Sequence, residues 1–368
     1  MFAVSGATQA SWMSRLPAIL ERADTDLVRL GVAFFLLGVG TLTAMLLTGP
    51  VCDRIGSRRV LVAGFAVALP SLAGIALCRS PEALGFALLV MGIGAGIWDA
   101  AMNVQGYAVE SGLGKHLMSG FHGWWSVGSM AGAGLGLLAA RLSVGLVPHL
   151  AVVSLLAAAL CVLSLRTFDD SGVRRPEEAE EKRRRPVGRL AMIAVLMFCG
   201  ALVEGGASDW LAVYLSGERR LSHSSAALGY TVFVTAMAAG RLAAERPHRH
   251  IGPAGMVRAG AIVAGVGIGL VVLTTKGLWA FAGAFGWGMG ICWAFPAALS
   301  ATGNIATGSA VAMMTAIGYC ASILGPLAIG WLAHAAGLGT ALLGLVPLVV
   351  VVAFLSPVLA SRDVKPRS

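Results

Sequence analysis

Residues 83–109 read ALGFALLVMGIGAGIWDAAMNVQGYAV, a run of 27 residues whose single formal charge is Asp99. A helix needs about 20 mainly apolar residues to cross a bilayer. This run is long enough, and Asp99 falls roughly 24 Å into a helix of about 40 Å at 1.5 Å rise per residue. Working outward from it, comparable runs recur along the whole chain. The expected spans are 1–19, 29–51, 60–79, 83–109, 118–140 and 146–167, then 190–215, 225–244, 254–275, 277–300, 310–332 and 338–360. No stretch alternates with period 2, which sets aside a β-barrel. The expectation is an all-α, polytopic membrane protein of twelve spans.

Composition points the same way. Of 368 residues 57% are hydrophobic and 12% charged, with a mean hydropathy of +0.81. A soluble domain carries about 25% charged residues, so a water-soluble enzyme is excluded. The six cysteines fall singly, mostly in apolar runs, without CxxC or Cys/His spacing. No disulfide framework, metal site or cofactor is expected from them. The first span begins at Met1 with no Lys or Arg before Arg15, unlike a signal peptide. Arg15-Leu16-Pro17 reads as its helix end.

The net charge of +9 is explained by where the basic residues lie. With the N-terminus inside, 19 of the 27 Lys and Arg fall on cytoplasmic stretches and 8 on the other side. That bias predicts both termini cytoplasmic. It is a topology signal, so nucleic acid is not an expected partner. The one long polar segment, 168–189, carries an acidic block (Glu177–Glu181) and then a basic one (Lys182–Arg185). It reads as a cytoplasmic linker between an N-terminal bundle, 1–167, and a C-terminal bundle, 190–368.

The halves echo one another. Leu30-Gly31 matches Leu228-Gly229 at an offset of 198, and Ile55-Gly56 matches Ile251-Gly252 at 196. Gly92, Gly94, Gly96 and Ile97 recur as Gly286, Gly288, Gly290 and Ile291 at 194, and Gly128 pairs with Gly325 at 197. Each half has an even number of spans, so two parallel six-helix bundles should flank a shared cavity, related by pseudo-symmetry. The G-x-G-x-G run at 92–96 has no strand before it, so close helix packing is its expected role, not nucleotide binding.

Between spans two and three the chain reads Gly49-Pro-Val-Cys-Asp53-Arg54-Ile-Gly56-Ser-Arg58-Arg59. This resembles the G-x-x-x-D-R-x-G-R-[KR] loop of the major facilitator superfamily (MFS), with Ser57 where an Arg is usual. The resemblance implies a cytoplasmic gating loop of Gly49, Asp53, Arg54, Gly56, Arg58 and Arg59, in which Asp53 accepts charge-assisted bonds. The second-half counterpart, Gly240, Arg241, Glu245 and Arg246, is degenerate, because Arg249 stands opposite Asp53. Ala10-Ser-Trp12-Met-Ser-Arg15-Leu-Pro17, Asp99-x-x-Met102-Asn103-x-Gln105, Met118-Ser-Gly-Phe-His122-Gly123, Glu204-Gly and Asp209-Trp210 further resemble the bacterial fucose-permease-like branch. That branch implies a bacterial inner-membrane protein with more residues before the first span.

Carboxylates at helix centres are costly and mark function. Asp99, with Asn103 one turn on, is the expected proton-coupling pair; an interhelical hydrogen bond is the plainer alternative. Glu204 lies near mid-span in the seventh helix. Asp209 beside Trp210 reads as a marker of the outer interface, or as a third cavity carboxylate. Gln105 and His122 complete the candidate cavity, and most of the nine Trp are expected to face lipid or its interface. The leading expectation is a secondary transporter working by alternating access. The resemblance implies proton symport of a small polar solute such as a sugar. Efflux of amphipathic compounds and a non-transporting membrane sensor are the alternatives. No ATP-binding loop appears, and solute, protons and bilayer are the expected partners of a monomer.

Overall fold

The computed structural model describes residues 1–113, 117–167, 187–303, 305 and 308–360. Most of the linker at 168–189 therefore lies outside the described residues. The first half holds α1 (Phe2–Met13), α2 (Leu16–Ala23), α3 (Leu27–Ile55), α4 (Ser57–Ile75), α5 (Pro81–Leu113), α6 (Met118–Arg141) and α7 (Leu146–Ser164). The second holds α8 (Val187–Gly217), α9 (His223–Leu242), α10 (Glu245–Leu273), α11 (Gly277–Ile291), α12 (Ala294–Gly303), α13 (Gly308–Ala336), α14 (Leu338–Leu343) and α15 (Val346–Leu355). Three pairs, α1–α2, α11–α12 and α14–α15, are single spans with a break. The described helices therefore form twelve spanning units in an all-helical membrane fold.

The three breaks share a cause. A proline removes one backbone donor, and its ring clashes with the carbonyl four residues earlier. Pro17, Pro296 and Pro347 stand four residues after Met13, Cys292 and Leu343, where the three helices let go. The first span does not end at Pro17, as the sequence suggests, but resumes as α2 to Ala23. Other ends are capped by side chains. Asp26 accepts from the Arg29 amide at 2.8 Å, and Ser222 from the Ser225 amide at 3.2 Å. Glu218 at the end of α8 takes the Leu338 and Gly339 amides at the start of α14.

Nine described helical units are long and apolar enough to cross a membrane by themselves. The broken α1–α2 pair, α6 and α9 are the others. Their lower apolarity follows from position, because α6 packs on α1 and across the halves on α9. One face of each meets protein, while Trp124, Leu135 and Leu138 of α6 stay exposed. The other extended cross-half contact joins α3 to α13, and short α2 adds smaller ones to α8 and α9. The repeat carries α3 onto α9 and α6 onto α13, so these two seams are images of one another.

The packing of α5 corrects one register. Gly92 and Gly96 lie against the α3 backbone at Leu37 and Thr41, while Gly94 lies against α4 at Ala68. In the second half Gly288 lies against α9 at Phe233, and Gly290 against α10 at Gly260 and Ala264. Since α9 is the image of α3 and α10 that of α4, Gly92 corresponds to Gly288 and Gly94 to Gly290. The offset here is 196, not the 194 that string matching suggests. It is also the offset of Gly56 (φ 87°) and Gly252 (φ 66°), two glycines whose positive φ turns one helix into the next.

Candidate functional site

The expected gating loop is hardly a loop. Gly49, Asp53 and Arg54 belong to the last turns of α3, Gly56 alone breaks the rod, and Arg58 and Arg59 sit in the first turn of α4. A one-residue joint ties the charges of both helices to backbone. Asp53 and Arg58 each have polar partners. Ser57, the departure from the superfamily pattern, is fully buried, and its hydroxyl donates to Oε1 of buried Gln105 at 2.9 Å. Gln105, expected in the cavity, thus anchors this joint to α5. One turn on, Glu110 accepts the amide of Met118 at 2.8 Å and caps α6. Sequence reasoning missed Glu110, whose partners lie across a tight connection.

Inside the bundles the candidate residues separate into two groups. Asp99 is half-buried near the centre of the 33-residue α5. The Asn103 side chain donates to the Asp99 backbone carbonyl at 2.8 Å, so the two residues are linked within one helix. Across the seam with α13, Tyr319 lies within electrostatic reach of Asp99. Asp209 on α8 stands in the same relation to buried Tyr230 on α9. Trp210 is fully buried, meeting Phe34 of the first half at 6.4 Å between ring centroids and 64°. Trp210 therefore packs in the junction between the halves rather than against lipid, beside Gly330 where α13 meets the start of α3. Trp12, Trp98 and Trp287 are buried as well, whereas Trp124, Trp279 and Trp331 are exposed.

The second group is the ion pair of Glu204 and Arg241, at 3.0 Å with both side chains 27% exposed. The sequence placed Gly240 and Arg241 on a loop. Both instead belong to α9, because that helix runs on to Leu242. Arg241 Nε also donates at 3.4 Å to the Cys292 carbonyl, the one that Pro296 leaves without its helical partner. Trp293 Nε1 donates to the Gly240 carbonyl at 2.8 Å and fixes the same break. His122, in the first turns of α6, meets the Phe2 ring edge-on at 5.4 Å and lies within electrostatic reach of Arg241. Glu245 and Arg246 begin α10, and their side chains lie outside the described residues.

The two halves touch most closely toward one end. Glu21 and His223 meet there at 2.9 Å. A Cβ placed on Gly31 of α3 would stand 2.8 Å from the Pro326 carbonyl of α13, and one on Gly330 of α13 would stand 2.6 Å from the Leu27 carbonyl of α3. Thr231 of α9 donates to the Ala133 carbonyl of α6 at 3.2 Å. Toward the end that carries Asp53, Leu46, Leu47 and Val51 of α3 are exposed. A 330 Å³ cleft there is lined by Phe2, Met102, Gln105, Phe121 and Trp124.

Two bundles joined by symmetric seams, closed toward one end around charges held inside them, define a multi-pass membrane transporter. The Major Facilitator Superfamily model matches residues 1–307. An uncharacterised MFS-type transporter of Yersinia pestis is 33% identical over 345 residues, 92% of this chain and 89% of that protein. An uncharacterised transporter of Sinorhizobium fredii is 32% identical over 97% of this chain and 96% of its own length. In structure the chain resembles the nucleoside transporter NupG, with a TM-score of 0.74 at 14% identity over 97% and 96% of the two chains. A bacterial homologue of the human lysosomal transporter Spinster, solved inward-facing and occupied, gives 0.76 at 13% identity over 97% and 94%. The chain belongs to the Major Facilitator Superfamily; it is a membrane transporter of small molecules and not an enzyme.

Proposed function

We propose that this chain is a proton-coupled symporter of a small polar solute such as a sugar, acting as a monomer in a bacterial inner membrane. The observation that carries the reading is Asp99: a half-buried carboxylate at the middle of α5, within reach of Tyr319 in the other half. A group so placed gains or loses its proton as the seam opens and closes around it. Glu204, held by Arg241, serves as a cavity ion pair whose partner exchange accompanies solute binding. Domain boundaries follow the repeat: a bundle at 1–167, a linker at 168–189 and a bundle at 190–368. The positive-inside bias puts both termini and the linker in the cytoplasm. The Glu21–His223 end is then the outer gate, and the conformation described is closed to the outside.

The test is uptake into proteoliposomes under an imposed pH gradient, scanned over sugars, other polyols and amphipathic drugs. Uphill accumulation of a polar solute, lost in Asp99→Asn while downhill exchange persists, is expected. Accumulation by Asp99→Asn equal to that of the parent would sink the coupling role. Drug extrusion without sugar uptake would replace symport by efflux. Cysteine labelling at 168–186 from the cytoplasmic side alone is the expected topology result, and labelling from outside overturns it.

A further inference from the structure

We propose that the first half contains a buried site for a small inorganic anion, built from Arg15, His149 and the N-terminus of α7. Arg15 stands at the break between α1 and α2 and is 7% exposed. Its Nη2 donates at 3.0 Å to the carbonyl of Val144, the residue just before the Gly145 cap of α7. Among the described residues its buried Nε and Nη1 find no partner, and no carboxylate pairs with it. A guanidinium stays charged at any accessible pH. Such a group enclosed in a membrane protein calls for a counter-charge.

The groups around it are donors too. Gly145 gives α7 no side-chain cap. The amides of Leu146 and Val147 have no intrahelical acceptor, and Pro148 brings no amide at all. The positive end of the α7 dipole therefore points at the Arg15 guanidinium, where like sign repels like. His149, also 7% exposed, follows in the next position, and a helical side chain leans back over its own N-terminal turn. Its Nε2 is engaged with the hydroxyl of fully buried Ser11 at 3.1 Å, while its buried Nδ1 has no partner among the described residues. Arg15 lies within electrostatic reach of this ring. Ser14, beside Arg15, donates its hydroxyl to the Ser11 carbonyl at 2.9 Å.

A guanidinium edge, an imidazole nitrogen and an uncapped helix start thus converge, and among the described residues no anionic group balances them. Helix N-termini with a basic side chain hold anions by this chemistry. The unpartnered atoms are shut off from bulk solvent, so the occupant must be compact: chloride, or at most inorganic phosphate. The site lies in the first half alone, away from Asp99, and does not depend on the direction or coupling of transport.

The experiment is thermal unfolding of the purified full chain in neutral detergent, at fixed ionic strength, with gluconate replaced stepwise by chloride or inorganic phosphate. A ligand bound only by the folded state raises Tm saturably. The parent is expected to gain several degrees with one of the two ions, and Arg15→Gln none. His149→Phe, which removes one donor without the charge, is expected to shift the half-saturating concentration at least tenfold upward. If Arg15→Gln does not fold, the parent titration and His149→Phe decide alone. A linear, non-saturating response, or equal responses in parent and variants, overturns the site. A rise produced by short-chain phosphatidylglycerol but by neither inorganic ion also overturns it, in favour of a lipid headgroup at the surface.

Discussion

The two halves build the same connection differently. In the first, α3 runs unbroken to Ile55, turns at Gly56 (φ 87°, ψ 145°) and restarts at Ser57. In the second, α9 stops at Leu242, and the stretch equivalent to the end of α3 returns as the start of α10, up to Gly252 (φ 66°, ψ 173°). The glycine hinge is shared at an offset of 196, but the charges are not. The first half keeps Asp53, Arg54, Arg58 and Arg59 at the end of its rods. The second places Arg241, at the position equivalent to Met45, where it pairs with Glu204 beside a proline-broken helix. Backbone symmetry survives because a positive-φ turn tolerates little but glycine. Charge symmetry need not, because each charge only has to find its own partner.

Breaking the Arg241–Glu204 pair should have the largest effect. Arg241→Ala strands a carboxylate inside the bundle; because the pair is 27% exposed rather than fully buried, the cost is at most about 3 kcal/mol. A marked fall in Tm and folded yield is expected, with a substantial part restored in Arg241→Ala/Glu204→Ala. If the double variant is no better than the single one, the pair is not what holds the second half together there.

The hinges come next and test the symmetry itself. An L-residue at Gly56 or Gly252 sits in a region open essentially to glycine, at about 1–3 kcal/mol. Gly56→Ala and Gly252→Ala should therefore lower Tm by similar amounts. Transport, normalised to folded protein, should fall only for Gly56→Ala, since only that hinge bears Asp53. Equal loss of transport in both would make the second connection a working gate as well.

A smaller effect is expected from charge alone. Asp53→Asn keeps the shape and should slow transport roughly tenfold, a shift of about 1.4 kcal/mol in the balance of states, while insertion is unchanged. Initial rates in proteoliposomes measure this, and Arg249→Asn at the equivalent position of the second half should change them little. The smallest is Ser57→Ala, which removes the Ser57 hydroxyl's bond to the buried Gln105 carbonyl at a cost of about 1 kcal/mol. Ser57→Arg, which restores the usual superfamily residue, should be worse than Ser57→Ala, because the position has no room or water for a guanidinium. A neutral result for Ser57→Arg would show that the α3–α4 joint opens more widely than the geometry suggests.

Much of the molecule is legible in the order of its residues. Twelve apolar runs, their even split, the hinge glycines and the packing role of Gly92, Gly94 and Gly96 follow from length, spacing and the absence of side chains. The three helix breaks are not open to the same reading, since Pro50, Pro70 and Pro326 stand inside helices that run on without a break. Asp99 stands out as a lone charge in an apolar run. Glu110, Ser57 and the Glu21–His223 contact do not, because their partners lie far along the chain or across a seam, where spacing carries no information.

The division has a physical basis. The sequence by itself determined that this chain crosses the membrane twelve times as two similar bundles, since apolarity and helix length act locally and sum along the chain. It also marked which charges were too costly to be idle. Only the tertiary structure decided their partners: Arg241 with Glu204 rather than in a loop, Trp210 with Phe34 at the junction between the halves, Gln105 with Ser57 at the joint. It likewise set the repeat register at 196, which helix faces reveal and letters do not. A charge or hydroxyl in a low-dielectric interior must be satisfied by whatever stands within about 3 Å, and which residue that is depends on how the helices pack.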